Sequence, residues 1–147
     1  MFRGLDTTFL VEVEVAAHPH HRWASMTLDA LLAQGDFLAI APQVLAEFTH
    51  IVTDAKRFAQ PLTMDQAVAR AKLWWEAKEV VHVFPSDEGT RLFLEWMREH
   101  KLGRKRLLDT LLASTYFAHG IRSILSSNAR DYAVFGCFDV TSPEFEK

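Results

Sequence analysis

The stretch over residues 104–132 places the strongest constraint on the fold, because it predicts a helix, a short strand and a polar loop in direct succession. The helix carries a carboxylate near its start, Asp109, and stops at Gly120. A short strand follows over residues 121–125, and the loop after it ends in a second carboxylate, Asp131. This order indicates one half of an open α/β sheet with chemistry at its edge.

The remainder of the chain alternates between strand and helix patterns in the same way. Residues 37–41 are a continuous apolar run, which is typical of a strand buried on both faces of a parallel sheet. Further short strands are predicted over residues 2–6, 80–84 and 138–141. We therefore predict an α/β fold with an open, mostly parallel sheet of four or five strands flanked by helices.

Composition limits the class of protein. The sequence has 147 residues, 49% of them hydrophobic and 12% aromatic, which predicts one globular domain over residues 1–147. The net charge of −3 gives no global sign of nucleic-acid binding, so such a function would need cations at the site itself. Charges at Arg3, Asp6 and Glu12 interrupt the N-terminus, and no apolar run approaches a membrane span, so we expect a cytoplasmic protein without a membrane partner.

Acidic residues from separate segments are predicted to meet at one edge of the sheet. Asp6 ends the first strand, Glu47 lies in the helix after the second strand, and Asp131 follows the strand after Gly120. The carboxyl ends of parallel strands share an edge, and the helix of Asp109 begins on that side. Each acid alone also has a simpler interpretation: Asp109 in a helix first turn, Asp6 as a cap and Asp131 in a turn.

Converging carboxylates repel one another and are stable only with bound protons or cations. Oxygen ligands favour hard ions such as Mg²⁺ or Mn²⁺, which suit metal-assisted hydrolysis of a phosphodiester. The sequence lacks the acidic residues that two other enzyme classes require. A haloacid-dehalogenase-type phosphatase needs a second Asp where Thr8 stands, and a phosphoacceptor receiver domain needs an acidic pair at the end of the first strand.

Four short blocks carry a resemblance to a known family. They are LDTT at residues 5–8, VLAEF at 44–48, LDTLLA at 108–113 and SSNARDY at 126–132. In this order and spacing they resemble the signature blocks of the PIN domain, and most closely those of the VapC-type toxins of bacterial toxin–antitoxin pairs. The resemblance implies a metal-dependent endoribonuclease in which Asp6, Glu47 and Asp109 surround Mg²⁺, with Mn²⁺ as a possible substitute.

The resemblance implies two candidates for a fourth metal ligand beside Asp6, Glu47 and Asp109. They are Asn128 and Asp131, and Asp131 is expected to supply the charge. Ser126 stands where relatives usually carry a threonine, and its hydroxyl is expected at the substrate or at a metal-bound ligand. We also assign Thr7 to substrate contact.

Three consecutive cations, Arg104, Lys105 and Arg106, precede Asp109 by about one helical turn and are predicted to hold RNA phosphates. A solvated helix start is the alternative for each of them. Glu12 and Glu14 are expected to face solvent or the rim of the site, with assistance at the site as the alternative for Glu12. The cluster of His18, His20 and His21 lacks a further Cys or His at zinc-ligand spacing and predicts a surface loop.

The resemblance also implies partners. They are an RNA substrate, a cognate antitoxin whose C-terminal tail covers the acids, and a second copy of the chain in a homodimer. A competing hypothesis is a PIN-like domain without useful catalysis that binds RNA or a partner protein. The presence of all four acids in one sequence argues against that alternative.

Overall fold

The computed structural model describes residues 1–143, and residues 144–147 of the predicted domain lie outside the described part of the chain. The strands are β1 Phe2–Leu5, β2 Phe37–Ile40, β3 Val80–His82, β4 Ser123–Leu125 and β5 Asp139–Thr141. The helices are α1 Thr7–Glu14, α2 His21–Ala33, α3 Pro42–Val52, α4 Met64–Glu76, α5 Asp87–Glu99, α6 Leu107–Ala118 and α7 Ala129–Ala133. A 3-10 turn, Arg104–Arg106, leads into α6.

The strands of the described residues form one five-stranded sheet in the order β3-β2-β1-β4-β5. Every neighbouring pair is parallel, which confirms the predicted α/β class. The chain builds outward from β1 to β2 and β3, and then returns to place β4 on the other side of β1. The boundary between β1 and β4 is therefore the topological switch point, where open α/β sheets leave a crevice at the carboxyl ends of their strands.

The helices cover the sheet in two groups that follow from this reversal. Helices α1 to α4 connect β1, β2 and β3 and pack against one another, whereas α5 packs against α6 on the return path to β4. Local signals set the starts of two of these helices: Thr63 and Gln66 form a capping box for α4, and Ser86 caps α5. Within residues 1–143, no helix is both long and apolar enough to cross a membrane.

Tyr116 fixes the centre of the sheet against α6. Its buried hydroxyl lies 2.5 Å from the carbonyl oxygen of Leu5 and 3.0 Å from that of Ala39, at the ends of two adjacent strands. The ring lies close against Gly4 of β1, and a Cβ atom at Gly4 would stand 2.8 Å from the ring. The absence of a side chain at Gly4 therefore allows α6 to approach β1 closely.

Substitution of Gly4 tests this packing. Gly4→Ala forces the Tyr116 ring away from β1, and we expect the free energy of unfolding to fall by about 1–3 kcal/mol. Gly103→Ala is the matched control, since no atom lies within 4 Å of a Cβ there, and it should change stability by less than about 0.5 kcal/mol. Urea unfolding of both variants measures the difference. Equal stability of the two variants would contradict the close approach.

Candidate active site

Asp6 lies at the switch point and organises it through hydrogen bonds to both carboxylate oxygens. Oδ1 accepts from the Thr8 hydroxyl at 2.7 Å and from the Phe9 amide at 3.1 Å, so Asp6 is the N-cap of α1. Oδ2 accepts from the Ser126 hydroxyl at 2.5 Å and from the Tyr132 hydroxyl at 3.2 Å. A carboxylate has about four lone-pair sites, and here each has a donor.

Burial governs the charge of Asp6. The side chain is 5% exposed, and this desolvation raises its pKa above the ordinary value, although the donors from Ser126, Thr8, Phe9 and Tyr132 oppose the shift. The donors therefore stabilise an ionised group in a place that would otherwise favour the neutral acid.

Glu47 approaches the same site from α3. Its Oε2 accepts a hydrogen bond from the Thr7 hydroxyl at 3.2 Å, which ties the side chain to the first turn of α1. Burial, and after it the neighbouring charge of Asp6, raises the pKa of Glu47.

Asp109 lies in the first turn of α6 and is the acid most affected by the others. Burial raises its pKa to about 6, and the charges of Asp131, Asp6 and Glu47 add to the shift, whereas Arg106 opposes it. The other three acids predicted from sequence thus lie close enough to Asp109 for their charges to act on it.

Asp131 and Asn128 occupy different places in the segment after β4. Asp131 lies in the first turn of α7 and acts electrostatically on Asp109. Asn128 precedes α7, donates its backbone N–H to Ser126 Oγ at 2.9 Å and lines a neighbouring cavity. Of the two, Asp131 is the one whose charge acts on the acid cluster.

Arg106 differs from the two cations before it. Arg104 and Lys105 are exposed, as expected for residues that meet a polyanion. Arg106 is partly buried, donates from its guanidinium to the Asp131 carbonyl, and has Nε at 4.0 Å from the Asp131 carboxylate. Its assignment to substrate contact is therefore revised: Arg106 holds the acid-bearing end of α7 against the turn that precedes α6.

The two hydroxyl residues assigned to substrate contact are also revised. Ser126 is 0% exposed and Thr7 is 6% exposed, so both lie beneath the surface that a substrate would meet. Their hydroxyls donate to Asp6 and Glu47 instead, and so position the acids.

Glu12 is the polar residue of this region whose place the sequence did not predict. It is 1% exposed rather than solvent-facing, and burial raises its pKa to about 7. Helix α1 carries apolar residues on nearly all its faces, including Phe9, Leu10 and Val11, and this pattern indicates a helix buried all round. That pattern is the signal from which the burial of Glu12 could have been predicted.

The oxygen donors of the site suit a hard cation, but they do not form a complete coordination sphere in advance. In the part of the chain that the structure describes, no three His, Cys, Asp or Glu side chains already converge on a common metal position. Mg²⁺, however, keeps several waters and is commonly held by only one or two carboxylates. Oxygen donors whose mutual repulsion raises the pKa of Asp109 fit such an ion.

Comparisons with known proteins establish the fold. No protein-family model and no curated protein matches the sequence. A structure of VapBC2 from Rickettsia felis, bound to a promoter DNA fragment, matches with a TM-score of 0.70 and 19% identity over 98% of this chain and 100% of that chain. VapC20 of Mycobacterium tuberculosis, a toxin that cleaves the sarcin–ricin loop, matches with a TM-score of 0.72 and 17% identity over 97% and 100%.

A third structure, VapBC-1 from nontypeable Haemophilus influenzae, matches with a TM-score of 0.70 and 14% identity over 97% of this chain and 98% of that chain. The fold and the site together define the class of protein: an α/β domain with acidic residues at its topological switch point. Within that class, this chain has the PIN-domain fold of the VapC toxins.

Burial of Asp109, together with repulsion by the neighbouring acids, predicts an unusual pH dependence of stability. The pKa of Asp109 is about 6 in the folded protein, above its ordinary value of 3.8. The neutral Asp109 carboxyl therefore favours the folded state fully below pH 3.8, and this stabilisation is lost as the pH rises through about 6. We expect metal-free protein to melt at lower temperature as pH rises from about 4 to about 7. Asp109→Asn should flatten this decline, and parallel curves for variant and wild type would contradict the coupling.

Proposed function

We propose that this chain is a divalent-metal-dependent endoribonuclease that acts as the toxin of a toxin–antitoxin pair. The observation that carries the proposal is the convergence of Asp6, Glu47, Asp109 and Asp131 at the switch point of a PIN-domain fold. Neighbouring acids help to raise the pKa of Glu47 and of Asp109, so the site gains from a cation, and phosphodiester hydrolysis is the chemistry that such a site favours.

Glu47, Asp109 and Asp131 are the residues that we assign to holding Mg²⁺ or Mn²⁺ most directly. Asp6 is also a predicted ligand, but it would have to give up one of its hydrogen bonds to bind the ion. The longest of these bonds, at 3.2 Å, is the one from Tyr132. When bound, the ion would supply positive charge that polarises a phosphate and lowers the pKa of an attacking water. Asn128 remains a further candidate through its side-chain oxygen.

The surrounding residues prepare the acids for this task. Thr7 orients Glu47, and Ser126 and Tyr132 hold Asp6 in place. Arg106 keeps Asp131 at the cluster and offsets part of its charge. Arg104 and Lys105, which are exposed one turn before Asp109, are the cations assigned to RNA phosphates on either side of the cut.

The proposed partners follow from the same site. A cluster of carboxylates would accept a basic side chain in place of the cation, so a cognate antitoxin with a basic tail could silence it. Structures with this fold include a toxin–antitoxin complex from Klebsiella pneumoniae. Assembly as a homodimer and a cytoplasmic location complete the proposal.

A catalytically weak domain that binds RNA or a partner is the second candidate. Two observations favour it: each lone-pair site of Asp6 already has a donor, and within residues 1–143 no three potential ligands meet at one point. Such a protein would bind RNA through Arg104 and Lys105 without cutting it, in the presence of either Mg²⁺ or Mn²⁺.

Asp109→Asn separates the two candidates. Removal of one charge at the cluster should lower RNA cleavage with Mg²⁺ or Mn²⁺ by about 100-fold or more, because electrostatic stabilisation at the reacting phosphate is lost. The variant should melt at the same temperature as wild type or higher, since repulsion is relieved. Gel analysis of end-labelled RNA and thermal melting provide the two measurements.

Asp65→Asn is the matched control, because Asp65 also lies in the first turn of a helix, α4, but at an exposed position away from the cluster. It should cut RNA as wild type does. Equal cleavage by Asp109→Asn and Asp65→Asn would disprove the catalytic assignment. Wild-type protein that binds RNA but leaves it intact would favour the second candidate.

Arg106 and Arg104 should affect different kinetic constants. Arg106→Ala releases Asp131, and we expect kcat to fall by about tenfold or more with little change in KM. Arg104→Ala removes a proposed phosphate contact, so it should raise KM. It should also reduce the slope of log binding affinity against log salt concentration by about one. Steady-state kinetics at two salt concentrations distinguish these effects. The revised role of Arg106 fails if its substitution changes only KM.

A further inference from the structure

A cavity beside the acid cluster is not used by the chemistry proposed above. Its volume is about 340 Å³, and its lining includes Thr8, Glu12, His18, Phe58, Ser127 and Asn128. We call it the Glu12 cavity. It adjoins the reacting centre, because Thr8 donates to Asp6 and Asn128 is bonded to Ser126, which also holds Asp6. A strand of RNA positioned over the acids would bring a neighbouring nucleotide to this cavity.

Glu12 gives the cavity a polar group without a partner. The side chain is 1% exposed, and among the described residues its Oε2 has no hydrogen-bond donor. A buried acceptor without a donor is unfavourable, and native proteins rarely retain one without a role. An incoming ligand that donates to Glu12 would relieve this cost.

Ser127 lines the cavity together with Glu12. Its hydroxyl donates to the Thr8 hydroxyl at 3.5 Å, at the limit of a hydrogen bond, and lies close enough to Glu12 to oppose the rise in the pKa of that carboxyl. The side chain is half-buried and sits in the loop between β4 and α7. A ligand that enters the cavity would displace this small side chain from Glu12 and supply the donor that Glu12 Oε2 lacks.

The other walls suit a flat ring. His18 accepts the His20 amide at Nδ1, 3.0 Å away, so the neutral imidazole carries its proton on Nε2 and is a donor there. Burial lowers the pKa of His18, and this favours the neutral ring. Phe58 adds an apolar aromatic wall. Aromatic and imidazole rings beside a hydrogen-bonding carboxyl are the elements with which proteins bind unstacked RNA bases.

We propose that the Glu12 cavity binds a nucleobase next to the cleaved phosphate and that Glu12 selects guanine. Guanine presents two adjacent N–H donors, N1–H and the N2 amine, on its Watson–Crick edge, and a carboxylate can accept from both. Adenine, cytosine and uracil each place an acceptor beside their donor on that edge, so they would leave one contact unmade. This inference rests on the proposed function, because only an RNA substrate brings a base to this position.

Nucleoside binding tests the cavity without catalysis or metal. Guanosine, adenosine, cytidine and uridine are titrated into metal-free wild-type protein and followed by amide chemical shifts. Guanosine should bind about tenfold tighter than the others, with the largest shifts at Glu12, His18 and Ser127. Equal affinities, or shifts confined to residues outside the cavity, would overturn the proposal. This experiment decides the base selectivity even if the protein cuts no RNA.

Cleavage mapping tests the same selectivity in the working protein. RNA of random sequence is cut with wild type and with Glu12→Gln, and the bases flanking each cut are counted by sequencing. Wild type should show guanine at one fixed flanking position, and Glu12→Gln should reduce that preference by about tenfold, since an amide cannot accept from both donors. Glu95→Gln, on the exposed face of α5, should keep it.

The outcomes separate the two proposals. Absence of RNA cleavage by the wild-type protein would contradict the proposed nuclease function. The nucleoside titration would still decide whether the cavity binds guanine. Cleavage without base preference, or preference unchanged in Glu12→Gln, would contradict the role of Glu12 while the nuclease assignment stands.

Discussion

The Asp6 carboxylate is the interaction on which the site depends. Its four hydrogen bonds reach the first turn of α1 through Thr8 and Phe9, the end of β4 through Ser126, and α7 through Tyr132. One buried charge therefore joins the elements on both sides of the switch point. Because isolated burial would favour the neutral acid, each donor that keeps Asp6 ionised also fixes the position of the segment that supplies it.

The other acids are held by separate supports, so their repulsion does not pull one element apart. Thr7 restrains Glu47 on α3, the first turn of α6 carries Asp109, and Arg106 restrains Asp131. Burial, and after it the charges of these neighbouring acids, raises the pKa of Asp109. A site that holds unfavourable charge in a rigid frame gains stability when a cation or a basic partner neutralises it, which links the stability of the protein to its proposed function.

Patterns along the sequence predicted the order of strands and helices and the edge at which the acids meet, because both follow from periodicity and from parallel topology. The roles of individual polar residues were harder to predict. Arg106 lies in a 3-10 turn, which changes the direction of its side chain relative to the α-helix expected there. Ser126 and Thr7 are buried because they bond to acids distant in sequence, and Glu12 is buried because α1 is covered on most sides. Such contacts depend on tertiary packing that no local pattern contains.

Diffraction from crystals grown with Mn²⁺ tests most directly whether the four acids form a cation site. Anomalous scattering locates manganese independently of any assumption about activity. We predict a peak within coordination distance of carboxylate oxygens from Asp109 and at least one of Asp6, Glu47 and Asp131. Crystals that contain Mn²⁺ elsewhere but show no peak between these carboxylates would contradict the assignment of the site.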